Sequence, residues 1–210
     1  MNCNQGVIMK TTIYLIRHGK TLWNQEHRMQ GSKNSPLTAE GKEQAMLLQK
    51  RLESIDFDEV IVSTSERAQE TAALVFPQTP IRLEPGIREI EMGVWEGQLH
   101  QDVKKQHPDQ WYAFFNDPLH YTPVGPGERF EDVHNRIAPV VKNLTTQYVG
   151  KTIALVSHRI TLKVLTNFFI NHDLTSIINQ EDFDSTSLTK IIIDEDGTHL
   201  IYRNDTSHYQ

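Results

Sequence analysis

The chain has 210 residues, with 21 lysines and arginines against 27 aspartates and glutamates, for a formal net charge of −6. That length suits one domain over residues 1–210. Its 38% hydrophobic and 23% charged residues exclude a disordered chain, and a single cysteine, Cys3, excludes an intrachain disulfide or a multi-cysteine metal site. No run approaches the ~18 apolar residues of a membrane span, and the acidic balance argues against nucleic acid as a partner.

The opening MNCNQGVIMK lacks a basic stretch followed by an apolar one, so it does not read as a secretory signal and a cytoplasmic protein is the default. Residues 1–8 are expected to be a flexible extension. Thr11–Ile16 is apolar and β-branched and ends at Arg17-His18-Gly19, which predicts a buried strand running into a turn. After a polar loop, Thr38 has the character of a helix N-cap, with Glu40 in the first turn and Ala45, Leu48 and Leu52 on one face. Gly41 weakens that helix, so it is expected to permit a close backbone approach.

Glu59–Val62 predicts a second strand, and the pattern Ser63-x-x-Glu66 predicts a capping box opening a helix through Arg67, Ala68, Thr71, Ala72 and Val75. Ile81–Leu83 is expected to form a short third strand. Residues 84–127 are irregular and rich in aromatics, Pro and Gly, with one short helix expected near Val103–Phe115; this segment is the candidate cap over a site. A helix from Phe130 to Tyr148 would have to accommodate Pro139. Thr152–Val156 is another buried strand, ending at Ser157-His158, and an apolar helix covers Ile160–Phe169. Two strands, near Ser187–Ile193 and His199–Tyr202, close the chain around a turn at Asp196-Gly197.

Strands alternating with helices predict a three-layer α/β/α fold with a mostly parallel central sheet. Such sheets bind ligands beyond the carboxyl ends of their strands. Arg17, His18, Arg67 and His158 all follow strand ends and would converge there. Guanidinium forks and helix N-termini suit a tetrahedral dianion, and two histidines suggest chemistry at phosphorus, because a neutral imidazole is a competent nucleophile. The histidines lack metal-ligand spacing, so no metal is expected, and the arginines would meet charge on the transferring group. Glu89 is the candidate for the leaving group's proton. The other histidines, His100 and His172 among them, are read as surface or loop groups. The acidic cluster Glu181, Asp182 and Asp184 is read as a solvated face.

The ordered set of motifs resembles the histidine phosphatase superfamily, in its phosphoglycerate mutase-like branch, from Tyr14 to about Leu188. The matching stretches are Leu15-Ile16-Arg17-His18-Gly19, Trp23-Asn24, Gln30-Gly31, Ser35-Pro36-Leu37-Thr38, Arg67-Ala68 with Thr71-Ala72, Arg88-Glu89-Ile90, Trp95-Glu96-Gly97, Gly127-Glu128 and Val156-Ser157-His158. The resemblance implies a phosphoglycerate mutase-like fold with a small cap. It implies that His18 carries the phosphoryl group, that Arg17, Arg67 and His158 hold it, and that Glu89 is proton donor and then base. Asn24, Gln30 and Gly31 would line the pocket. The implied activity is that of a metal-independent phosphoric monoester hydrolase of the histidine acid phosphatase type, with no cofactor, acting on a small phosphorylated metabolite. The alternatives are a cofactor-dependent phosphoglycerate mutase and, from another class, a non-catalytic phosphate- or phosphoprotein-binding module. The 69 positions between Glu89 and His158 resemble the shorter, phosphatase form. Arg159 stands where the family usually has glycine, and Lys20 where Glu or Gln is common. Both are expected to favour a substrate with additional negative charge.

Overall fold

The computed structural model describes residues 9–170 and 173–210. The expectations for residues 1–8, for Cys3 and for His172 lie outside them. Strand β1 (Thr11–Arg17) is followed by a one-turn helix α1 (Leu22–Gln25), helix α2 (Ala39–Leu52), strand β2 (Glu59–Val62), helix α3 (Glu66–Val75) and strand β3 (Ile81–Leu83). Two 3-10 turns then precede helices α4 (His100–Gln106) and α5 (Pro108–Asn116). Helix α6 (Phe130–Gln147), strand β4 (Thr152–Ser157), helix α7 (Arg159–Ile170), a further 3-10 turn and the hairpin β5 (Leu188–Asp194) and β6 (Gly197–Asp205) complete the chain.

The six strands form one sheet in the order β3-β2-β4-β1-β5-β6. β3, β2, β4 and β1 are mutually parallel, and β5 and β6 extend the sheet antiparallel. Side chains alternate across a strand, so the central strands β1, β2 and β4 feed two cores. Ile13, Leu15, Ile61, Ile153 and Leu155 face α6 and α7, through Val133, Ile137, Leu162 and Leu165. Tyr14, Ile16, Val60, Val62, Ala154 and Val156 face α2 and α3, through Ala45, Leu48, Ala68 and Ala72. This is the expected α/β/α layering. Complete burial of an aliphatic side chain such as Ile13 or Leu15 contributes about 1.5–3 kcal/mol.

Register positions the chemistry. Arg17 pairs with Ser157 across the parallel β1–β4 ladder, and the His18 N–H donates to the Ser157 carbonyl at 3.0 Å. The two strand exits that carry histidine are therefore at one level. Ser63, just past β2, donates its N–H to Val156 O at 3.0 Å and joins them.

Three local expectations are corrected. The helix expected near Val103–Phe115 is two helices, because Pro108 lacks an N–H and restrains His107 to a non-helical conformation; Pro108 instead starts α5. The Ser63–Glu66 capping box does not form. Ser65 is the N-cap of α3 and makes no side-chain capping bond, because both serine hydroxyls are turned toward His158. The Asp182 end of the acidic cluster pairs with Arg159 and Lys163 rather than only facing solvent. Other expectations hold. The Thr38 hydroxyl accepts from the Gly41 N–H at 3.0 Å, and α6 runs on through Pro139.

Candidate active site

A cavity of about 530 Å³ opens over the carboxyl ends of β1, β2 and β4. Arg17, His18, Lys20, Asn24, Gln30, Gly31, Arg67, Glu89 and Arg159 all border it. His158 lies beneath, fully buried, with its ring centroid 5.1 Å from that of His18. The structure thus gathers every residue singled out in the sequence.

His18 is 3% exposed, and its Nδ1 lies 2.8 Å from the Gly19 carbonyl. A carbonyl only accepts, so Nδ1 carries the proton and Nε2 keeps its lone pair. Burial, together with the Arg67 and Arg17 charges, holds the His18 pKa well below the ordinary value. The imidazole is neutral at pH 7, the form that can attack phosphorus. The Gly19 N–H in turn donates to Thr71 Oγ1 at 2.9 Å, and that hydroxyl donates to Arg67 O at 2.6 Å, tying the His18-Gly19 turn to α3.

His158 has its own fixed orientation. Nε2 lies 2.7 Å from the Ser63 hydroxyl and 3.1 Å from that of Ser65. With Nε2 accepting from Ser63, the proton sits on Nδ1, which has no partner in the structure. Burial, Arg67 and His18 keep this imidazole neutral as well.

Arg67 is buried and Arg17 half-buried. Arg67 donates through Nη1 to Lys33 O at 2.7 Å and through Nη2 to Gly31 O at 2.8 Å. Arg17 donates through Nη1 to Phe183 O. Desolvation brings each guanidinium pKa down to about 10, with Arg159 adding to the effect at Arg17, and both stay charged at pH 7. Gly31 has φ +57, and a Cβ there would fall 2.2 Å from Glu96 Oε1, so the loop that holds Arg67 requires glycine.

Glu89 is 7% exposed at the N-terminus of α7. Oε1 accepts from the N–H groups of Ile90 at 3.0 Å and Thr161 at 3.2 Å, and Oε2 accepts from Ile160 N–H at 3.2 Å. Its segment is tethered where Ser157 Oγ donates to Ile87 O at 2.8 Å and Thr161 Oγ1 to Arg88 O at 2.6 Å. Gln30 is buried, taking a hydrogen bond from Thr21 at 3.3 Å on Oε1 while Nε2 is unpartnered. Asn24 caps the one-turn helix α1 through Thr21 as well as bordering the cavity. Lys20 is engaged by Glu40 at 2.7 Å and Arg159 by Asp182 at 3.1 Å.

Sequence reasoning missed several groups. His100 and Arg28 border the cavity, brought there by an isolated bridge between Arg28 and Leu99 that no local pattern signals. Ser63, which with Ser65 orients His158, reads from the sequence as a helix cap, and Ser65 carries no signal there. Phe114, Phe115 and Met92 give one side of the cavity an apolar wall. Among the described residues, no group of three or more His, Cys, Asp or Glu could hold a metal ion, and no helix is long and apolar enough to cross a membrane.

The sequence profile of the histidine phosphatase superfamily (branch 1) matches residues 13–206. The chain is 36% identical to the adenosylcobalamin/alpha-ribazole phosphatase of Escherichia coli (strain K12) over 155 residues, 73% of this chain and 76% of that one. It is 32% identical to a probable phosphoglycerate mutase GpmB of Enterobacter sp. (strain 638) over 157 residues, 74% of this chain and 73% of that one. Among solved structures, Bacillus stearothermophilus YhfR superposes with a TM-score of 0.88 at 38% identity, covering 95% of this chain and 100% of that one.

Proposed function

The chain belongs to the histidine phosphatase superfamily, and from that membership we propose that it is a phosphatase that hydrolyses small phosphomonoesters through a phosphohistidine on His18, without a metal ion or other cofactor. One observation carries the reading. Among the described residues, four buried side-chain nitrogens around the cavity have no partner: Arg17 Nε, Arg67 Nε, His158 Nδ1 and Gln30 Nε2. Leaving a buried donor unpaired costs about 1–3 kcal/mol. Four on side chains gathered around one imidazole are the complement of a tetrahedral, multiply charged acceptor.

In this reading the His18 Nε2 lone pair bonds to phosphorus as the bond to the leaving oxygen breaks. Glu89 gives that oxygen its proton. Arg17, Arg67 and His158 hold the three non-bridging oxygens, already oriented, so little reorganisation accompanies charge development. Water then attacks phosphorus, Glu89 takes its proton, the N–P bond breaks and inorganic phosphate leaves. The substrate is a small phosphorylated metabolite, in keeping with the size of the cavity.

The test is a substrate panel with rapid denaturing quench. Acid-labile label from a ³²P-monoester is expected on the peptide containing His18, phosphate release is expected to persist in EDTA, and His18→Ala is expected to abolish both. Full activity in His18→Ala overturns the reading. The likeness to a probable phosphoglycerate mutase supports a second reading, in which the bound acceptor rather than water takes the phosphoryl group. Turnover of phosphoglycerates primed by 2,3-bisphosphoglycerate, exceeding phosphate release, would select it. Tight phosphate binding with no turnover on any ester would select a binding module.

A further inference from the structure

Three cations stand at the mouth of the cavity, and their charge balance differs. Lys20 is matched by Glu40 at 2.7 Å and Arg28 by Glu26 at 2.6 Å, each pair one cation to one carboxylate. Arg159 shares its carboxylate. Asp182 Oδ1 lies 3.1 Å from Arg159 Nε and 2.6 Å from Lys163 Nζ, so two cations meet one anion and a unit of positive charge is left over. Lys163 Nζ is further spent on Gln180 O at 3.0 Å, and its side chain is only 10% exposed. The surplus therefore resides on Arg159, which borders the cavity.

Arg159 is also built to present that charge. It bonds Asp182 through Nε alone, and among the described residues neither Nη atom has a hydrogen-bond partner or is sealed away from solvent. Its Cζ stands 5.4 Å from the centre of the Phe115 ring, so cation–π attraction adds to the Nε bond in fixing the guanidinium plane. A fork of free Nη donors held at both its edge and its face matches a carboxylate or phosphate. Its field reaches the phosphate end, since it contributes to lowering the Arg17 pKa. Asp184 also borders the cavity, and it accepts from Asn204 Nδ2 at 3.0 Å.

We propose that Arg159 is a specificity-determining residue that binds a second anionic group of the substrate, so that the preferred substrates are phosphomonoesters carrying a further carboxylate or phosphate. This rests on the reading of the cavity as a phosphomonoester site. It also revises the expectation from the sequence, since Lys20 is neutralised and Arg159 is not.

The test compares propyl phosphate, the phosphate ester of 3-hydroxypropionate and propane-1,3-diol bisphosphate. In the unaltered protein at low salt, kcat/KM for the two doubly anionic compounds is expected to exceed that for propyl phosphate by about tenfold or more, the worth of a charge-assisted bond. The preference shrinks as salt rises. Arg159→Ala is expected to bring the ratio near one, and Asp182→Asn, which removes the competing carboxylate, to raise it. The ratio is taken within each protein, so partial misfolding lowers both values together. Carboxylate and bisphosphate arms moving in parallel indicate recognition of charge; one arm moving alone narrows the ligand to that group. A ratio near one in the unaltered protein, or a ratio unchanged in Arg159→Ala, overturns the proposal. Calorimetric titration with the phosphate ester of 3-hydroxypropionate and with propyl phosphate reads the same preference without turnover. If no ester is hydrolysed yet the binding preference depends on Arg159, the catalytic reading fails and this one stands. Binding of neither compound overturns both.

Discussion

The carboxylate of Glu96 grips Ser32 at both backbone and side chain: Ser32 N–H donates to Oε1 at 2.8 Å, and the Ser32 hydroxyl lies 3.0 and 2.8 Å from the two oxygens. The same carboxylate accepts from Lys33 N–H at 3.2 Å and Met92 N–H at 3.0 Å. Ser32 sits between Gly31 and Lys33, whose carbonyls hold the Arg67 guanidinium. Glu96 is thus a positioning residue, reaching the proposed phosphoryl site through a loop and an arginine. Glu96→Ala is expected to cost about 2–4 kcal/mol in urea denaturation, because buried N–H donors lose a charged acceptor. Inorganic phosphate should also bind more weakly to the folded variant. Unchanged phosphate affinity would restrict Glu96 to stability alone.

Gly41 gives a prediction in which helix propensity and packing oppose each other. Alanine is better than glycine inside a helix by about 1 kcal/mol. An added Cβ at Gly41, however, would lie 2.4 Å from Lys20 O and 2.7 Å from Lys20 N, both backbone atoms that cannot rotate away. Overpacking wins, and Gly41→Ala is expected to destabilise the fold by about 1–3 kcal/mol. Because Lys20 is two residues from His18, kcat should fall as well. Thermal denaturation and steady-state kinetics on one preparation check both.

These two residues also show what the sequence made legible. Thr38 and Gly41 could be read locally, since a cap and a misplaced glycine are signals within a few residues. Arg17 and His18 could be read because a buried strand ending in polar residues at a parallel-sheet edge leaves few roles open to them. Ser63 is different, because S-x-x-E fits a capping box and an imidazole cradle equally well until His158 is brought across the β2–β4 ladder. His100 was passed over because only a loop-to-loop bridge, Arg28 with Leu99, carries it to the cavity. The break at His107-Pro108 is legible from proline's effect on the preceding residue, which a single helix over Val103–Phe115 leaves out of account.

The serine cradle is testable through its tautomer. Ser63 Oγ at 2.7 Å is the shorter of the two contacts to His158 Nε2. Ser63→Ala removes the donor that keeps the proton on Nδ1, where it faces the phosphoryl site in the proposed mechanism. A drop of about tenfold in kcat with KM nearly constant is expected, equivalent to about 1.4 kcal/mol of transition-state stabilisation. Ser63→Thr, which keeps a hydroxyl, should restore part of it. Ser63→Ala kinetics equal to the unaltered protein would mean that the tautomer is fixed by Ser65 or is of no consequence.

Burial, aided by the neighbouring arginines, depresses the pKa of His18 and of His158 in the folded protein, and this makes stability depend on pH in a definite direction. In the unfolded chain each imidazole titrates near 6.5. Below that pH the unfolded state takes up protons that the folded state refuses, so folding weakens as pH falls. The slope is about 1.4 kcal/mol per pH unit for each group, and it vanishes above about pH 7. His208, held at about 4 by burial and Arg51, adds to the same trend. Replacing His18 with Asn should therefore flatten the dependence between pH 6.5 and 5 by one imidazole's share, leaving the contributions of the other histidines with lowered pKa, His100, His158 and His208. Urea midpoints across that range measure it. A slope identical in the Asn variant would mean that His18 binds a proton in the folded protein, which would leave it without the lone pair that phosphoryl transfer needs.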